Sequence, residues 1–262
     1  MRLTVIGSAG SVAGPANPPS CYLVEAEAAG RTWRLVVDLG PGTLGPLGRH
    51  TDPARVDAVL VTHGHVDHCA DLAGLSVLRR YGPTAGQGLP RLVLLGPRGL
   101  DTRIRELAGD TGPEPTYTDL APFDFTALAH SAHISLGPFD IEVAAAWHSV
   151  PALAYRIEGP GERGGRVALV YTGDTDLCDE VRTLARGADL LLAEAGWAHR
   201  EENPPGVHMT GAQAGQLAAA SGVARLVVTH VASWVDPTPT LAQARAHHAD
   251  AVLAAPGDVY AL

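Results

Sequence analysis

Short apolar runs punctuate this chain, and each breaks off at a glycine, a proline or a polar residue. Runs rich in Val, Leu and Ile at residues 3–6, 21–25, 33–38, 58–62, 91–95, 141–146, 154–157, 167–171, 190–194 and 225–229 predict β-strands. Longer Ala- and Leu-rich stretches predict helices at 69–81, 99–108, 178–186, 211–221 and 241–248. The Gly- and Pro-rich segment 82–90 predicts a loop, as does 110–124. Strands mixed with helices over this length imply an α/β architecture. No short repeat or dividing linker is visible, so one domain over 1–262 is expected.

A regularity in the pattern carries more than the elements themselves. Five strand-like runs end on a residue suited to chemistry: LVVD at Asp38, AVLVTH at His63, VAAAWH at His148, ALVYTGD at Asp174 and LVVTH at His230. Functional groups of α/β proteins gather beyond the carboxyl ends of strands. Five such endings in one chain imply that they converge.

Composition narrows the reading. The formal net charge is −9, with 19 arginines and no lysine. An acidic chain without a basic run is a poor partner for nucleic acid, whose binding rests on phosphate neutralisation. No stretch is apolar for long enough to span a bilayer, and the N-terminus lacks the order of a signal peptide. Three cysteines without a CxxC spacing read as reduced thiols, so a cytoplasmic location is expected.

The densest chemistry lies in Thr62-His63-Gly64-His65-Val66-Asp67-His68. Imidazole and carboxylate suit zinc, manganese or iron. On an extended loop, His63 and His65 can face one metal while Asp67 and His68 turn to a second. THGHVDH resembles the HxHxDH signature of the metallo-β-lactamase superfamily, and Asp38 in VVDLG, His148, Asp174 in TGDT and His230 in VTH follow in that family's order. The resemblance implies an αββα four-layer sandwich of two mixed β-sheets flanked by helices. It also implies two divalent metal ions, zinc first, with manganese or iron as alternatives. His63, His65 and His148 would hold one metal, Asp67, His68 and His230 the other, and Asp174 would bridge them. Two metals about 3.5–4 Å apart stabilise both the attacking and the leaving oxygen of a displacement. Asp38 is expected to support a ligand histidine by hydrogen bonding.

Further motifs resemble the ribonuclease Z-like branch of the superfamily. They are the glycine loop GSAGSVAGPANPPSCYLV, DLGPGT, SVPALAYRI after His148, AEAGW at Glu194 and HMTGAQAG at His208. Thr210 and Gln213 form a capping-box signature for the helix that follows, which sets His208 just before a helix N-terminus. Held by Glu194, His208 could donate a proton to a leaving oxygen, with Asp67 also in the catalytic set. Branch members that mature tRNA carry a long arm between the residues matching His148 and Asp174. Here those residues are 26 positions apart, bridged by two strands and the turn EGPGERGG. The chain is similar to actinobacterial members regarded as atypical cyclic-nucleotide phosphodiesterases. A phosphodiesterase for small phosphodiesters is therefore expected, with tRNA an unfavoured partner and a homodimer implied by the branch. The competing readings are tRNA 3′ processing, lactone or thioester hydrolysis, and a ligand-binding protein that keeps the fold.

Other residues carry weaker signals. His50, His130, His133, His199, His247 and His248 lack matching motifs and read as surface or structural. Cys69 and Cys178 lie beside site motifs without being needed there. Trp197, Trp234 and Tyr155 could stack on a nucleobase or simply pack.

Overall fold

Alternation along the strands decides the layering, because successive side chains point to opposite faces of a sheet. The computed structural model describes residues 1–109, 120–198 and 203–262. Strands β1 (Arg2–Gly7), β2 (Ala9–Gly10), β3 (Cys21–Ala28), β4 (Arg31–Val37), β5 (Ala58–Leu60), β6 (Leu92–Pro97) and β7 (Phe123–Leu128) come from the first half of the chain. The second half supplies β8 (His133–Leu136), β9 (Phe139–Ala145), β10 (Leu153–Pro160), β11 (Arg166–Tyr171), β12 (Leu190–Glu194), β13 (Leu226–Thr229), β14 (Val231–Ala232), β15 (Val252–Leu253) and β16 (Val259–Ala261). One mixed sheet has the order β16-β1-β3-β4-β5-β6-β7, the other β15-β13-β12-β11-β10-β9-β8, and β14 pairs with β2. Leu3, Val5, Tyr22, Val24, Leu35 and Leu60 of the first sheet meet Ile141, Val143, Tyr155, Leu169, Tyr171 and Leu192 of the second in one core.

The opposite faces are covered by helices. Helices α1 (Leu44–Leu47), α2 (Val66–Cys69), α3 (Asp71–Tyr81) and α4 (Leu100–Leu107) belong to the first half. Leu72, Leu75, Leu100 and Ile104 from α3 and α4 pack on Leu23, Val36, Val59 and Leu94. Helices α5 (Asp179–Leu184), α6 (Gly211–Ser221) and α7 (Pro237–Arg245) do the same for the second sheet, where Val181, Ala214, Leu217 and Ala244 meet Val170, Leu191 and Val228. The result is the expected αββα sandwich. The run Leu190–Glu194 is apolar almost throughout because both of its faces are buried: Leu190 and Leu192 face the inter-sheet core, Leu191 and Ala193 the helices.

Several boundaries differ from the sequence reading. The helix expected at 69–81 is α3, which begins at Asp71, and the short α2 at Val66–Cys69 precedes it across Ala70. The helix expected at 241–248 begins earlier, at Pro237, because Asp236 caps it by accepting from Thr238 N and Pro237 opens its first turn. Residues 110–119 of the expected loop 110–124 lie outside the described residues, and Phe123 and Asp124 open β7 instead. Strands β7, β8, β15 and β16 escape the sequence reading because they are short or only half covered.

Candidate metal centre

Strand direction brings the five strand-end residues to one place. β9 and β11 both run antiparallel to β10, and β11, β12 and β13 are parallel. The ends carrying His148, Asp174, Glu194 and His230 therefore share one edge of the second sheet. β4 and β5, also parallel, deliver Asp38 and His63 from the first. Leu153 N donates to Thr62 O at 2.9 Å and so links the two sheets beside the site.

Two groups of ligand-type atoms form there. His63, His65, His148 and Asp174 make one, and Asp67, His68, Asp174 and His230 make the other, with the donor atoms of each group within 4.8 Å of one another. Asp174 belongs to both. Its Oδ2 lies 3.6 Å from His63 Nε2 and 4.0 Å from His148 Nε2, while its Oδ1 lies 3.3 Å from His68 Nε2 and 3.4 Å from His230 Nε2. In the first group, His65 Nδ1 is 3.0 Å from His63 Nε2 and 3.1 Å from His148 Nε2. The division of HxHxDH between an extended stretch and a helical turn is visible in the backbone: His65 is extended and Asp67 and His68 lie on α2.

The hydrogen bonds behind the cluster fix which nitrogens face inward. His68 Nδ1 donates to Asp38 Oδ2 at 2.7 Å, and His148 Nδ1 donates to Val207 O at 2.7 Å. Each ring thus turns Nε2 toward Asp174. Asp38 is fully buried and also accepts from Thr62 N, Thr62 Oγ1 and Tyr171 OH. Asp38 and His230 both adopt φ of +57°. Left-handed backbone at a non-glycine costs of order 1–3 kcal/mol, and the buried hydrogen bonds and packing around both positions hold it in place.

The electrostatics of the cluster suit cations. Burial keeps the imidazoles of His63, His65 and His148 neutral by lowering their pKa values, so their lone pairs are free to ligate. Burial also opposes charge on His68, but the Asp174 and Asp38 carboxylates outweigh it and raise its pKa well above the ordinary value. Asp67 resists burial in the same way, because His230 and His68 hold its carboxyl well below the usual range. Asp174 Oδ1 is buried without a hydrogen-bond partner among the described residues. An orphaned carboxylate oxygen facing imidazole nitrogens is costly unless a cation shares it. The donor set, all nitrogen and oxygen, fits divalent zinc, manganese or iron.

His208 and Glu194 lie beside this cluster. His208 Nδ1 is 3.0 Å from Glu194 Oε1, and the His208 ring sits 5.4 Å from the rings of both His148 and His230. Burial works against a charged His208, but Glu194, with Asp174 behind it, pushes its pKa up to about 9. The expected capping box is present: Thr210 accepts from Gln213 N and Gln213 reaches back to Thr210 N. Glu194, His208 and His230 also fall within ligand distance of one another. Sequence reasoning offers no such third group.

Main-chain groups complete the support, and these were invisible in the sequence. Ser11 N donates to Asp67 Oδ2 at 2.9 Å from a residue with φ of +63°. A side chain at Gly10 would come within 2.4 Å of His230 O, and one at Gly40 within 2.2 Å of Asp67 O. The glycine-rich loops therefore allow the backbone to press against the site. Asp176 was also missed. It accepts from Leu177 N and Gln213 Nε2 on one oxygen and from Gly206 N on the other, which ties the turn of Asp174 to the loop bearing Val207 and His208.

The weaker candidates separate cleanly. Tyr155 is fully buried and donates to Val61 O at 2.7 Å, so it packs and holds backbone rather than stacking on a ligand. Cys69 is buried, donates to His65 O and has its thiol pushed up to about 12 by burial, which makes it a poor nucleophile. All three cysteines are free. His50, His130, His133, His247 and His248 join no ligand group, and His199 lies outside the described residues. Trp234 is exposed four positions after His230, and Trp147, unnoticed in the sequence, is exposed just before His148. No helix among the described residues is long and apolar enough to cross a membrane.

Comparisons with known proteins agree with this geometry. The model of the beta-lactamase superfamily domain matches residues 33–231. The uncharacterised protein Rv1339 of Mycobacterium tuberculosis is 39% identical over 247 residues, covering 94% of this chain and 86% of that protein. A ribonuclease Z of Bradyrhizobium is 31% identical over 258 residues, covering 81% of this chain and 84% of that enzyme. The crystal structure of the metallo-beta-lactamase fold protein YhfI from Bacillus subtilis superposes with a TM-score of 0.83 at 26% identity, covering 99% of this chain and 98% of that one.

Proposed function

From a chain that belongs to the metallo-β-lactamase superfamily, in its ribonuclease Z-like branch, and is thereby a metal-dependent hydrolase, we infer a phosphodiesterase for small phosphodiesters such as cyclic nucleotides. The observation that carries this reading is the His208–Glu194 pair at 3.0 Å, set against both ligand groups at once. Such a pair serves a reaction whose leaving oxygen departs as a poorly stabilised alkoxide.

His63, His65 and His148 would hold one metal, Asp67, His68 and His230 a second, and Asp174 would bridge them. Bound there, divalent ions would neutralise phosphoryl charge and make water acidic enough to attack near neutral pH. Asp67, kept a carboxylate by His230 and His68, would help orient that water, whose proton passes to solvent. The water oxygen forms the new bond to phosphorus as the bond to the leaving oxygen breaks. His208 Nε2 gives its proton to that oxygen, while Glu194 keeps Nδ1 occupied and the ring in place. Asp38 and the Val207 carbonyl hold His68 and His148 in the tautomer that ligates.

Two features favour small substrates over tRNA. β10 and β11 are joined by a tight turn between His148 and Asp174, and no arm projects there. The net charge of −9 repels a polyanion. Side-by-side assays with bis-p-nitrophenyl phosphate, cyclic AMP, a lactone and a tRNA precursor test the assignment. Diester hydrolysis should dominate, with tRNA trimming far slower at physiological salt. Efficient trimming, or a lactone preferred over both diesters, overturns it.

A further inference from the structure

One carboxylate grips the chain on both sides of His208. Asp176 is buried, and its Oδ2 accepts from Gly206 N, just before Val207 and His208, at 2.9 Å. Its Oδ1 accepts from Gln213 Nε2 at 3.0 Å, and Oε1 of the same Gln213 accepts from Thr210 N, just after His208 and Met209, at 2.9 Å. Resting on the phosphodiesterase reading, we propose that Asp176 is a positioning residue for the proton transfer: it sets the place of the His208 imidazole against the leaving oxygen, and only a carboxylate can do so.

The near end of this latch is fixed to the metal cluster. Asp176 N donates to Trp147 O at 2.9 Å and Trp147 N donates to Thr175 Oγ1 at 3.0 Å, so the turn after Asp174 is tied to the residue before His148. The far end has little freedom. Gly206 has φ of +72°, and a side chain there would come within 2.5 Å of Trp147 Nε1. Its backbone is therefore pressed against the indole while its N–H points at Asp176. Val207 follows and accepts from His148 Nδ1 at 2.7 Å, and His208 comes next. One short segment, gripped on both sides by one side chain, thus serves a ligand histidine and the proton donor.

The donors around Asp176 decide which side chain can stand there. Both oxygens face N–H groups: Leu177 N at 2.7 Å and Gln213 Nε2 on one, Gly206 N on the other. A carboxylate accepts on both oxygens, whereas an amide of the same shape accepts on one side and donates from the other. In Asp176→Asn a donor would meet a donor whichever way the amide turned. Turning the Gln213 amide over does not help, because its nitrogen would then face Thr210 N. The conflict moves along the chain of bonds and does not vanish.

Two carboxylates therefore divide the work on His208. Glu194 Oε1 accepts from His208 Nδ1 at 3.0 Å and lies 3.3 Å from Met209 N, so it holds the ring in its tautomer even when the latch is loosened. Asp176 holds the backbone that carries the ring. Loss of the latch misplaces the donor without releasing it, and a misplacement of about 1 Å can cost about 10²-fold in rate.

Asp176→Asn is compared with the wild type as metal-loaded full chain of measured metal content. Turnover of cyclic AMP should fall about 10²-fold and that of bis-p-nitrophenyl phosphate far less, because only the first leaving group needs the proton. Adding Gln213→Glu should recover part of the loss: the new carboxylate accepts from the new amide and from Thr210 N, as in a capping box, and Gly206 N keeps an acceptor. Hydrogen exchange at the Gly206 and Thr210 amides, read by NMR without substrate, should quicken about tenfold or more in Asp176→Asn and slow again in the double variant. Gln213→Ala, which cuts only the Thr210 arm, serves if Asp176→Asn does not fold, and should show the same split between substrates at smaller size. Unchanged exchange, equal slowing of both substrates, loss of metal, or no recovery in the double variant overturns the proposal. Quickened exchange in a protein whose wild type hydrolyses neither diester sustains the latch and removes the phosphodiesterase reading; diester turnover with exchange unchanged does the reverse.

Discussion

Asp174→Ala and Asp67→Ala should each lower diester turnover by about 10³-fold or more while the protein stays folded. Asp174 is the residue common to both ligand groups, with one oxygen turned to each. Removing it withdraws the only carboxylate in the His63–His65–His148 group and the link between the two. Metal stabilisation of charge in the transition state is worth several kcal/mol, and each 1.36 kcal/mol is tenfold in rate. Asp67 combines contacts to His230 and Ser11 N, so its loss frees both a ligand position and the glycine loop. The fold should survive because the Asp174 turn is anchored independently: Thr175 N donates to Glu194 Oε1 and Asp176 N to Trp147 O, each at 2.9 Å. Rates are compared on metal-loaded protein with matched circular dichroism. Turnover near that of the wild type in either variant contradicts the assigned roles.

His208→Ala should keep both metals and lose about 10²–10⁴ in turnover of cyclic nucleotides, the range expected for a general acid. The loss should be much smaller with a nitrophenyl diester, because nitrophenolate departs without a proton. A proton donor must be charged before the step, so activity on cyclic nucleotides should fall as pH rises through the pKa of His208. Glu194 pushes that pKa up to about 9. Bound divalent cations nearby lower it from there, which sets the fall at or below that value. Glu194→Gln removes the charge that favours the protonated ring and should shift the fall to lower pH. His208 also lies within ligand distance of Glu194 and His230. Metal content therefore decides between donor and ligand: loss of metal from His208→Ala, or equal slowing of both substrates, refutes the donor role.

The two sheets and the ligand cluster were legible because their signals are local. Asp38, His63, His148, Asp174 and His230 each close an apolar run, and strands whose two faces are buried, such as Leu190–Glu194, stand out in hydropathy. The partner of His68 was also within reach, since VVDLG places a carboxylate at a strand end, and Asp38 indeed sits 2.7 Å from Nδ1. What escaped acts through backbone or through distant sequence. Val207 contributes a carbonyl and Ser11 an amide, so their side chains say nothing. Asp176 looks like any turn aspartate until Gly206 and Gln213, 30 and 37 positions away, are brought onto it. Tyr155 shows the same limit: an aromatic after a site histidine reads alike whether it stacks on a ligand or packs, and its place in the inter-sheet core bears out packing.

Metal content of the purified protein tests the central claim most directly. Protein prepared without chelator, or reconstituted with zinc or manganese and freed of excess ion, is assayed by elemental mass spectrometry against protein concentration. Two divalent ions per chain are expected, held by the two groups that share Asp174. A reproducible content near zero, with no gain on reconstitution, would contradict the account.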